Sequence, residues 1–525
     1  MKIKLANEKG TYLTMILGIY VVLIGVGLPI VVKNAYFDIL AVKYYFYCIC
    51  TGLMLVLLLV YFLTARRETI LHCYKDFSVK NLIKKANLLD CSILSFLLVS
   101  LISTLSSDYL YESFWGNEGR FTGFFLLSLY VISYFCVSKF WRYQNYYINL
   151  ILITGCFVSI FGITDYFQMD IFRFKAFVMD KQKLSFTSTI GNINTYTAYV
   201  GIIAAIATVL FAASVERKKT VFYYLCMIIT FFAIIMGASD NAYISLATLF
   251  VFLPLYLFSN KKGIQSYLIV LATFFSVIKV IDWINFYFKN TVRRVDGIFT
   301  VIADSKLLLY WIAALWGLIL IWCIIDYITK SRYKEYGNIF RYIWLTLIFA
   351  VIIFIVYIMY DCNILGNIES YEKYGSYFIF NDQWGTHRGY IWRNAIEQFG
   401  EFTIWKKIFG FGPETFGILL MRRTYGNPYN EIFDSAHNEY LQYLLTIGIA
   451  GLISYIILIL SYIKKCFSYK NRNPYIIAIV FGVICYSAQA FVNLGLPIIT
   501  PILWLLLAMG GSKSIESNNI LMEEN

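Results

Sequence analysis

A histidine and three other polar residues stand together at the start of an apolar run near the end of the chain. In the stretch SAHNEYLQYLLTIGIAGL they are His437, Asn438, Glu439 and Gln442. Asp434 and Ser435 are residue types that cap helices, so we expect His437 in the first turn of a helix. The positive end of the helix dipole disfavours imidazolium and leaves a neutral imidazole that can accept a proton. His437 is therefore a candidate general base, the alternative being a histidine that only hydrogen-bonds a neighbour.

An arginine opens a second predicted helix. Arg388 follows Thr386 at the beginning of RGYIWRNAIEQFGEF, a stretch with helical spacing. Its guanidinium and the free N–H groups of the first helical turn can bind an anion together. At a membrane surface that anion would be a lipid phosphate or a pyrophosphate. The simpler alternative is an arginine that contacts lipid headgroups and has no catalytic role.

Neither a metal nor a nucleotide is predicted as a cofactor. Metal-ligand atoms are available on His387, His437, Asp382 and Glu439, but their spacing matches no known metal motif. The chain also lacks the Gly-x-x-x-x-Gly-Lys-Ser/Thr loop that holds nucleotide phosphates. Chemistry at these residues is therefore expected to use protein side chains alone.

The composition is that of an integral membrane protein. Of the 525 residues, 60% are hydrophobic and only 14% are charged, and the mean hydropathy is +0.67. Apolar runs of about 17 to 25 residues, the length that crosses a bilayer, recur along the whole chain. They predict an all-α polytopic membrane protein with about 14 transmembrane helices, within a range of about 12 to 14. The twelfth span is expected over 438–463.

Basic residues in the short loops set the predicted orientation. Lys and Arg cluster in every second loop, starting before the first span, which places both termini in the cytoplasm. The formal net charge of +13 follows from this topology, so no nucleic-acid partner is expected. The predicted parts are a bundle of about 11 spans over 1–360, a large extracytoplasmic loop over 361–437, about three spans over 438–511 and a cytoplasmic polar tail over 512–525.

The extracytoplasmic loop is expected to contain amphipathic helices that lie along the membrane surface. In the helix that begins at Arg388, the residues that share an apolar face are Trp392, Ala395, Ile396 and Phe399. Arg393 is spaced to pair with Glu397 one turn further on. The stretch GFGPETFG then breaks the helical pattern with glycines and a proline. This loop is the predicted place of the active site.

Three motifs in this region resemble a known family. HRGYIWRNAI, KKIFGFGPETF and AHNEYLQYLLTIGIAGL follow one another as in the signature region of the O-antigen ligase and O-antigen polymerase superfamily of bacterial membrane glycosyltransferases. In that family a large extracytoplasmic loop carries Arg before Trp, then Gly-x-Gly-Pro, then a His-Asn that opens a helix. Two earlier stretches are similar to further family elements: FWGNEGRFTGF, which contains Arg120, and GNINTYTAYVG, which contains Asn192 and Asn194.

The resemblance implies a reaction and a role for each site residue. Members of the family transfer a glycan from undecaprenyl pyrophosphate to a hydroxyl, without a nucleotide or an obligatory metal. By resemblance, His437 would activate the acceptor hydroxyl, Arg388 would hold the donor pyrophosphate, and Arg120 would add a second cationic contact. The residues expected to contact substrate are Arg120, Asn438, Glu439, Gln442, Trp392, Asn192, Asn194 and Arg293.

The resemblance also implies partners and a location. The expected partners are the undecaprenyl-pyrophosphate-linked glycan donor, a glycan or other hydroxyl acceptor, and membrane lipids. A flippase or a chain-length regulator is a further candidate partner. The protein is expected in the bacterial plasma membrane, with its active site on the outer face.

One stretch departs from the family pattern. Many members have a Ser-Arg-Gly-like element at the start of the helix after the seventh span, whereas this chain reads GASDNAYISL, with Asp240 and Asn241 at that place. A carboxylate cannot clamp a pyrophosphate, so either other arginines replace the missing one or the donor is oriented differently. The candidates are Arg120, Arg173, Arg293 and Arg294.

Several functions stay open at this point. The first is a polymerase that joins lipid-linked repeat units into a capsule or an O-antigen-like polysaccharide, and the second is a ligase that moves a finished glycan to a lipid, wall or protein acceptor. A lipid-linked oligosaccharide flippase or other transporter is less favoured, because transporters place ionisable residues near the middle of the membrane and show repeat symmetry. The last alternative is a non-catalytic assembly partner with the same fold. It stays open because Asp240 stands where the family pattern has an arginine.

Overall fold

The computed structural model describes residues 2–64, 87–117, 119–329, 335–468 and 473–512, and these parts of the chain are almost entirely helical. The helices are α1 (Lys2–Val22), α2 (Leu28–Ile30), α3 (Ile39–Thr64), α4 (Leu88–Leu105), α5 (Leu110–Trp115), α6 (Phe124–Phe140), α7 (Tyr146–Tyr166), α8 (Asp180–Lys183), α9 (Ile193–Ala213), α10 (Arg217–Met236), α11 (Asn241–Leu257), α12 (Lys261–Tyr287), α13 (Ile298–Ala303), α14 (Leu308–Thr329), α15 (Ile339–Asn363), α16 (Gly375–Phe378), α17 (Trp384–Glu401), α18 (Ile404–Phe409), α19 (Phe416–Arg423), α20 (Glu439–Thr446), α21 (Gly448–Phe467), α22 (Pro474–Gln489) and α23 (Thr500–Gly510).

A few short elements complete the description. A π-helical turn, Leu23–Gly27, joins α1 to α2, and 3-10 turns cover Ile368–Tyr374 and Ala490–Val492. Strands β1 (Phe186–Thr187) and β2 (Gly191–Asn192) pair antiparallel just before α9. Among the regions predicted from sequence, the polar tail after residue 512 and basic loop residues within 65–86, 330–334 and 469–472 lie outside the described residues.

Eleven of the described helical segments are long and apolar enough to cross a membrane. Three shorter apolar helices, α6, α11 and α23, have 17, 17 and 11 residues. The predicted all-α, multi-pass membrane fold is therefore confirmed. The count of about 14 spans stays a prediction, because length and composition alone do not show that the shorter helices cross.

Helix α9 is the centre of the bundle. In its apolar part 94% of the residues are buried, against 11% in α14 and 6% in α15, whose apolar side chains are largely exposed. Small residues allow this burial: a Cβ on Gly201 would lie 2.5 Å from the Ser245 Oγ of α11. Asn192 and Asn194, two candidate site residues, stand at the N-terminal end of this enclosed helix.

The segment 361–437 has a small apolar core of its own. Its buried residues are Ile391, Trp392, Ala395, Phe402, Phe416, Leu419, Leu420, Phe433 and Ala436, joined by Leu441 and Leu445 of α20. The predicted apolar face of α17 is confirmed at Trp392 and Ala395, but Ile396 is 59% exposed. This core packs α17 and α19 against α20, and so connects Arg388 to the residues that follow His437.

The charged residues Arg393 and Glu397 of α17 form ion pairs with residues outside the helix and not with each other. The predicted pair of Arg393 with Glu397 is wrong. Arg393 contacts Asp382 at 2.7 Å, and Glu397 contacts Arg423 of α19 at 2.9 Å. Pairs within one exposed helix contribute only a few tenths of a kcal/mol, so contacts between elements can replace them.

The predicted twelfth span, 438–463, is broken into two helices. α21 begins at Gly448, whose φ is +70°, and the membrane-spanning part begins there too. A Cβ on Gly448 would lie 2.2 Å from the Ile408 carbonyl oxygen, and a Cβ on Gly410 would lie 2.2 Å from that of Thr446. The two glycines therefore let the end of α18 contact the junction of α20 and α21 backbone to backbone.

We expect Gly448→Ala to destabilise the protein. A left-handed backbone costs a residue with a Cβ about 1–2 kcal/mol, and the contact with the Ile408 carbonyl adds a steric clash. The measurement is the thermal unfolding midpoint of the purified chain in detergent. Gly317→Ala in α14 is the control, because a Cβ there meets nothing within 4 Å. Equal midpoints for the two variants would contradict the close contact.

Candidate active site

The turn before α20 directs His437 away from that helix. Asn438 is the N-cap: its side-chain oxygen accepts hydrogen bonds from the N–H groups of Tyr440 at 3.0 Å and Leu441 at 3.1 Å. His437 therefore precedes the helix, and the expectation that it lies in the first turn is wrong. Its φ of +47° is left-handed, a conformation that is uncommon outside glycine and clusters at functional sites.

Two side chains hold the backbone next to His437. The indole Nε1 of Trp392 donates to the carbonyl of Ala436 at 2.8 Å, and the N–H of Ala436 donates to the Gln442 side-chain oxygen at 3.3 Å. Trp392 is only 8% exposed and belongs to the small core of the 361–437 segment. Both residues were predicted to contact substrate, and the bonds seen here make them positioning residues for His437.

His437 is electrostatically tuned to be neutral. Burial lowers the pKa of its imidazole to about 4, and the nearby charges of Arg388 and Arg120 push the pKa in the same direction. Asp434 opposes this shift. At neutral pH the ring therefore has a free lone pair that can accept a proton, and burial with two arginines produces this state, not the helix dipole on which the sequence argument relied.

Arg388 stands at the start of the right-handed part of α17. The three residues before it, Gly385, Thr386 and His387, are all left-handed, with φ between +60° and +66°. Its Nη1 donates to the side-chain oxygen of Asn241 at 3.3 Å. Burial lowers the pKa of the guanidinium, but arginine keeps its charge in proteins. The sharp reversal before Arg388 is what turns its side chain toward α11.

A cavity of about 500 Å³ opens beside His437, and we name it the His437 cavity. Its polar lining residues are Asn117, Arg120, Asn192, Asn194, Thr195, Glu414, Asp434, His437 and Asn493. Four of the predicted site residues thus meet in one space. Arg120 donates to Asp434 at 2.7 Å, while Asn192 caps α9 through the N–H of Asn194 at 2.8 Å.

A second cavity, of about 720 Å³, contains Arg388, and we name it the Arg388 cavity. Its polar lining residues are Asp240, Asn241, Tyr377, Asn381, Gln383, Trp384, Thr386 and Arg388. Asp240 accepts hydrogen bonds from the Ile298 N–H at 3.1 Å and from the Tyr377 hydroxyl at 3.3 Å. The stretch that departs from the family pattern therefore lines this cavity, with Arg388 as the cationic residue in the lining.

Glu439 lies inside the protein and not in either large cavity. It is 2% exposed, and its carboxyl accepts hydrogen bonds from the hydroxyls of Tyr443 at 3.2 Å, Tyr455 at 2.9 Å and Tyr486 at 3.0 Å. These three tyrosines belong to α20, α21 and α22. The Glu439 carboxyl therefore joins the three helices through hydrogen bonds. Direct contact with substrate, as predicted for Glu439, has no support in this position.

Arg293 and His387 are not brought to the two cavities. The backbone N–H of Arg293 donates to the Tyr166 carbonyl at 2.7 Å, and its guanidinium is near Asp165. His387 pairs with Glu431 at 2.9 Å and stacks on Tyr429 at 4.1 Å. Across the described part of the chain, no group of three or more His, Cys, Asp or Glu residues could hold a metal ion.

Glu414 is a site residue that the sequence argument missed. It is 4% exposed, has a left-handed φ of +64° and lines the His437 cavity. Burial raises the pKa of its carboxyl to about 7, with Asp434 adding to the shift and Arg120 opposing it. A signal was available, since an acidic residue in the middle of the apolar stretch GFGPETFG is unusual, but only the glycines and the proline were considered there.

A comparison with known families agrees with the motifs. Residues 297–456 match the family model described as O-antigen ligase, and this range includes Arg388, Glu414 and His437. No curated protein matches the chain. The domain supports a membrane enzyme of the O-antigen ligase and polymerase kind that acts on a lipid-linked glycan. The resemblance is thus confirmed: the chain carries an O-antigen ligase domain within a multi-pass, all-α membrane protein.

Proposed function

We propose that the protein is a metal-independent glycosyltransferase that transfers a glycan from undecaprenyl pyrophosphate to a hydroxyl. The observation that carries this proposal is that buried His437 and Arg120 line one cavity, with Arg388 close enough to help lower the pKa of the imidazole. Such a reaction needs a base for the hydroxyl and fixed cations for the leaving pyrophosphate. Both requirements are met by side chains of the described residues.

The reaction proceeds by one displacement at the anomeric carbon. The acceptor hydroxyl donates its proton to His437 as its oxygen attacks this carbon. The bond from the carbon to the phosphate oxygen breaks, and the pyrophosphate leaves with the electron pair. Arg388 and Arg120 stabilise the charge that develops on it, because charge-assisted hydrogen bonds from guanidinium groups to phosphate are strong.

Each cavity takes one substrate in this scheme. The acceptor hydroxyl enters the His437 cavity, where the base is, and the donor sugar occupies the Arg388 cavity, where Asn381, Gln383 and Trp384 offer amide groups and an aromatic face. The pyrophosphate lies between the two arginines. In this arrangement Asp240 contacts sugar hydroxyls and not phosphate. An acidic residue at the position where many family members have an arginine is therefore compatible with activity.

The orientation in the membrane is also part of the proposal. The His437 cavity lies at the N-terminal end of α9 and the Arg388 cavity at that of α11. Lys139 and Lys464 lie in the last turns of α6 and α21, and Arg217 and Lys261 begin α10 and α12, just after the C-terminal ends of α9 and α11. Since basic residues favour the cytoplasmic side, this distribution supports cytoplasmic termini and an active site on the outer face of the plasma membrane.

Polymerisation of lipid-linked repeat units for a capsule or an O-antigen-like polysaccharide is our first choice of reaction. Ligation of a finished glycan to a lipid, wall or protein acceptor is the second, and the family description favours it. The two reactions share the displacement described above and differ in the acceptor. A flippase that supplies the donor and a chain-length regulator are the proposed partners.

His437→Ala and Arg388→Ala are expected to lower transfer by about 10²- to 10⁴-fold, since each removes a group that acts in the transition state. The measurement is the size distribution, on gels, of surface and lipid-linked glycans in cells that lack the protein and carry one variant. A polymerase gives single lipid-linked units in both variants. A ligase gives long lipid-linked chains that are not transferred.

Matched controls are available for both variants. His387→Ala removes a histidine that pairs with Glu431, and Arg393→Ala removes an arginine that pairs with Asp382, and neither of the two lines a cavity. Both controls should give wild-type glycans. If His437→Ala also gives wild-type glycans, the assigned base is wrong, and a flippase or an inactive assembly partner becomes the better explanation.

Trp392→Phe is expected to lower the rate of transfer about tenfold without loss of the folded protein. The change leaves the buried Ala436 carbonyl without its donor, at a cost of about 1–3 kcal/mol, and loosens the turn that carries His437. The rate is measured on the purified chain with a lipid-linked glycan. Trp405→Phe, at a 52% exposed position of α18, is the control. A wild-type rate in Trp392→Phe would show that this hydrogen bond does not position His437.

A further inference from the structure

The Glu414 side chain is 4% exposed, and its carboxyl oxygens accept no hydrogen bond from the described residues but are not wholly enclosed, so they are open to the His437 cavity. Buried carboxylates are normally paired or hydrogen-bonded, because an ionised group without partners loses its solvation. The left-handed backbone of Glu414 adds strain at the same position. A strained, buried and unpaired acid on the wall of the His437 cavity is a sign of function.

Glu414 also borders a second, much smaller space. Glu414 also lines a cavity of about 40 Å³, whose polar lining includes Arg120, Glu439, Gln442 and Tyr130. The hydroxyl of Tyr130, a residue that is 1% exposed, has no hydrogen-bond partner within the described chain, and neither has the Nε of Arg120. A polar space of this size has room for about one or two water molecules. Glu414 thus separates the substrate cavity from a small polar space inside the bundle.

The transfer reaction leaves a proton that His437 cannot keep. An imidazolium beside Arg388 and Arg120 is unstable, since the pKa of His437 is about 4. The carboxyl of Glu414 has a pKa of about 7. The two shifts have opposite directions, and both favour the proton on Glu414 over His437. An ionised Glu414 is therefore the better final holder of the proton.

We propose that Glu414 is the terminal proton acceptor of the transfer reaction, a role that rests on the proposed function. As the new carbon–oxygen bond forms, the hydroxyl proton passes to His437. It then passes through water in the His437 cavity to the carboxylate of Glu414, which becomes a neutral acid, while the pyrophosphate leaves as an anion with the electron pair of the broken bond. Release of the proton to solvent restores the carboxylate for the next cycle.

The groups around Glu414 set the sign of the pH dependence. Arg120 favours the carboxylate and Asp434 disfavours it. His437 faces it across the cavity, and Glu439 lies across the small polar space, where it is held by tyrosine hydroxyls. Because only the ionised form can accept a proton, the rate is high above a pH of about 7 and falls as the pH drops through this value.

The test is the pH profile of kcat/KM for the purified full chain in liposomes, with a lipid-linked glycan as donor. Wild type should lose rate below about pH 7. Glu414→Gln should be at least about tenfold slower, and its remaining rate should no longer change near pH 7. Glu414→Asp, which keeps a carboxyl, should be faster than Glu414→Gln and should regain the acidic decline. Glu397→Gln, in an ion pair away from both cavities, should behave as wild type.

Asp434→Asn provides an independent measurement. Removing this neighbouring charge lowers the pKa of Glu414, so the acidic decline should move to lower pH. The proposal is overturned if Glu414→Gln keeps the wild-type decline near pH 7, or if Glu414→Asp is no faster than Glu414→Gln. A different result is expected if the proposed function itself is wrong. In that case wild type transfers no glycan, or His437→Ala stays active.

Discussion

The hydrogen bond from the Trp392 indole to the Ala436 carbonyl ties α17 to the turn that carries His437. The turn is left-handed and is followed at once by the Asn438 cap, so it has little freedom of its own once both bonds are formed. Arg388 lies one helical turn before Trp392 in α17. A single buried tryptophan therefore sets the spacing between the proposed base and the proposed pyrophosphate ligand.

The charged residues around His437 influence one another's protonation. Burial lowers the pKa of the imidazole, with Arg388 and Arg120 adding to the shift, and the same two cations are available to an anionic leaving group. Asp434 holds Arg120 at 2.7 Å and so limits how far its guanidinium moves. Burial raises the pKa of the Glu414 carboxyl, and the charge of Arg120 opposes this shift. Binding of an anion near Arg120 shifts all of these equilibria together.

The bundle and the 361–437 segment contribute different properties to the site. Helix α9, most of which is buried, provides Asn192 and Asn194 at its N-terminal end, where they line the His437 cavity. The segment supplies Arg388, Glu414 and His437, and is held by its own small core and by close backbone contacts at Gly410 and Gly448. The proposed site is thus a junction between a rigid bundle and a compact segment, and it has polar groups on both sides.

The sequence by itself determined the membrane class, the helical fold and the resemblance to the O-antigen ligase family, and it singled out His437, Arg388 and Arg120 as candidates for chemistry. These properties depend on composition, on hydrophobic period and on short motifs, which are local. Only the tertiary structure decided that His437 precedes its helix, that Glu439 is held by tyrosines from α20, α21 and α22, and that Glu414 faces the same cavity as His437. Those outcomes depend on which elements pack together, and burial and neighbouring charges, not residue type, then set the protonation state of each group.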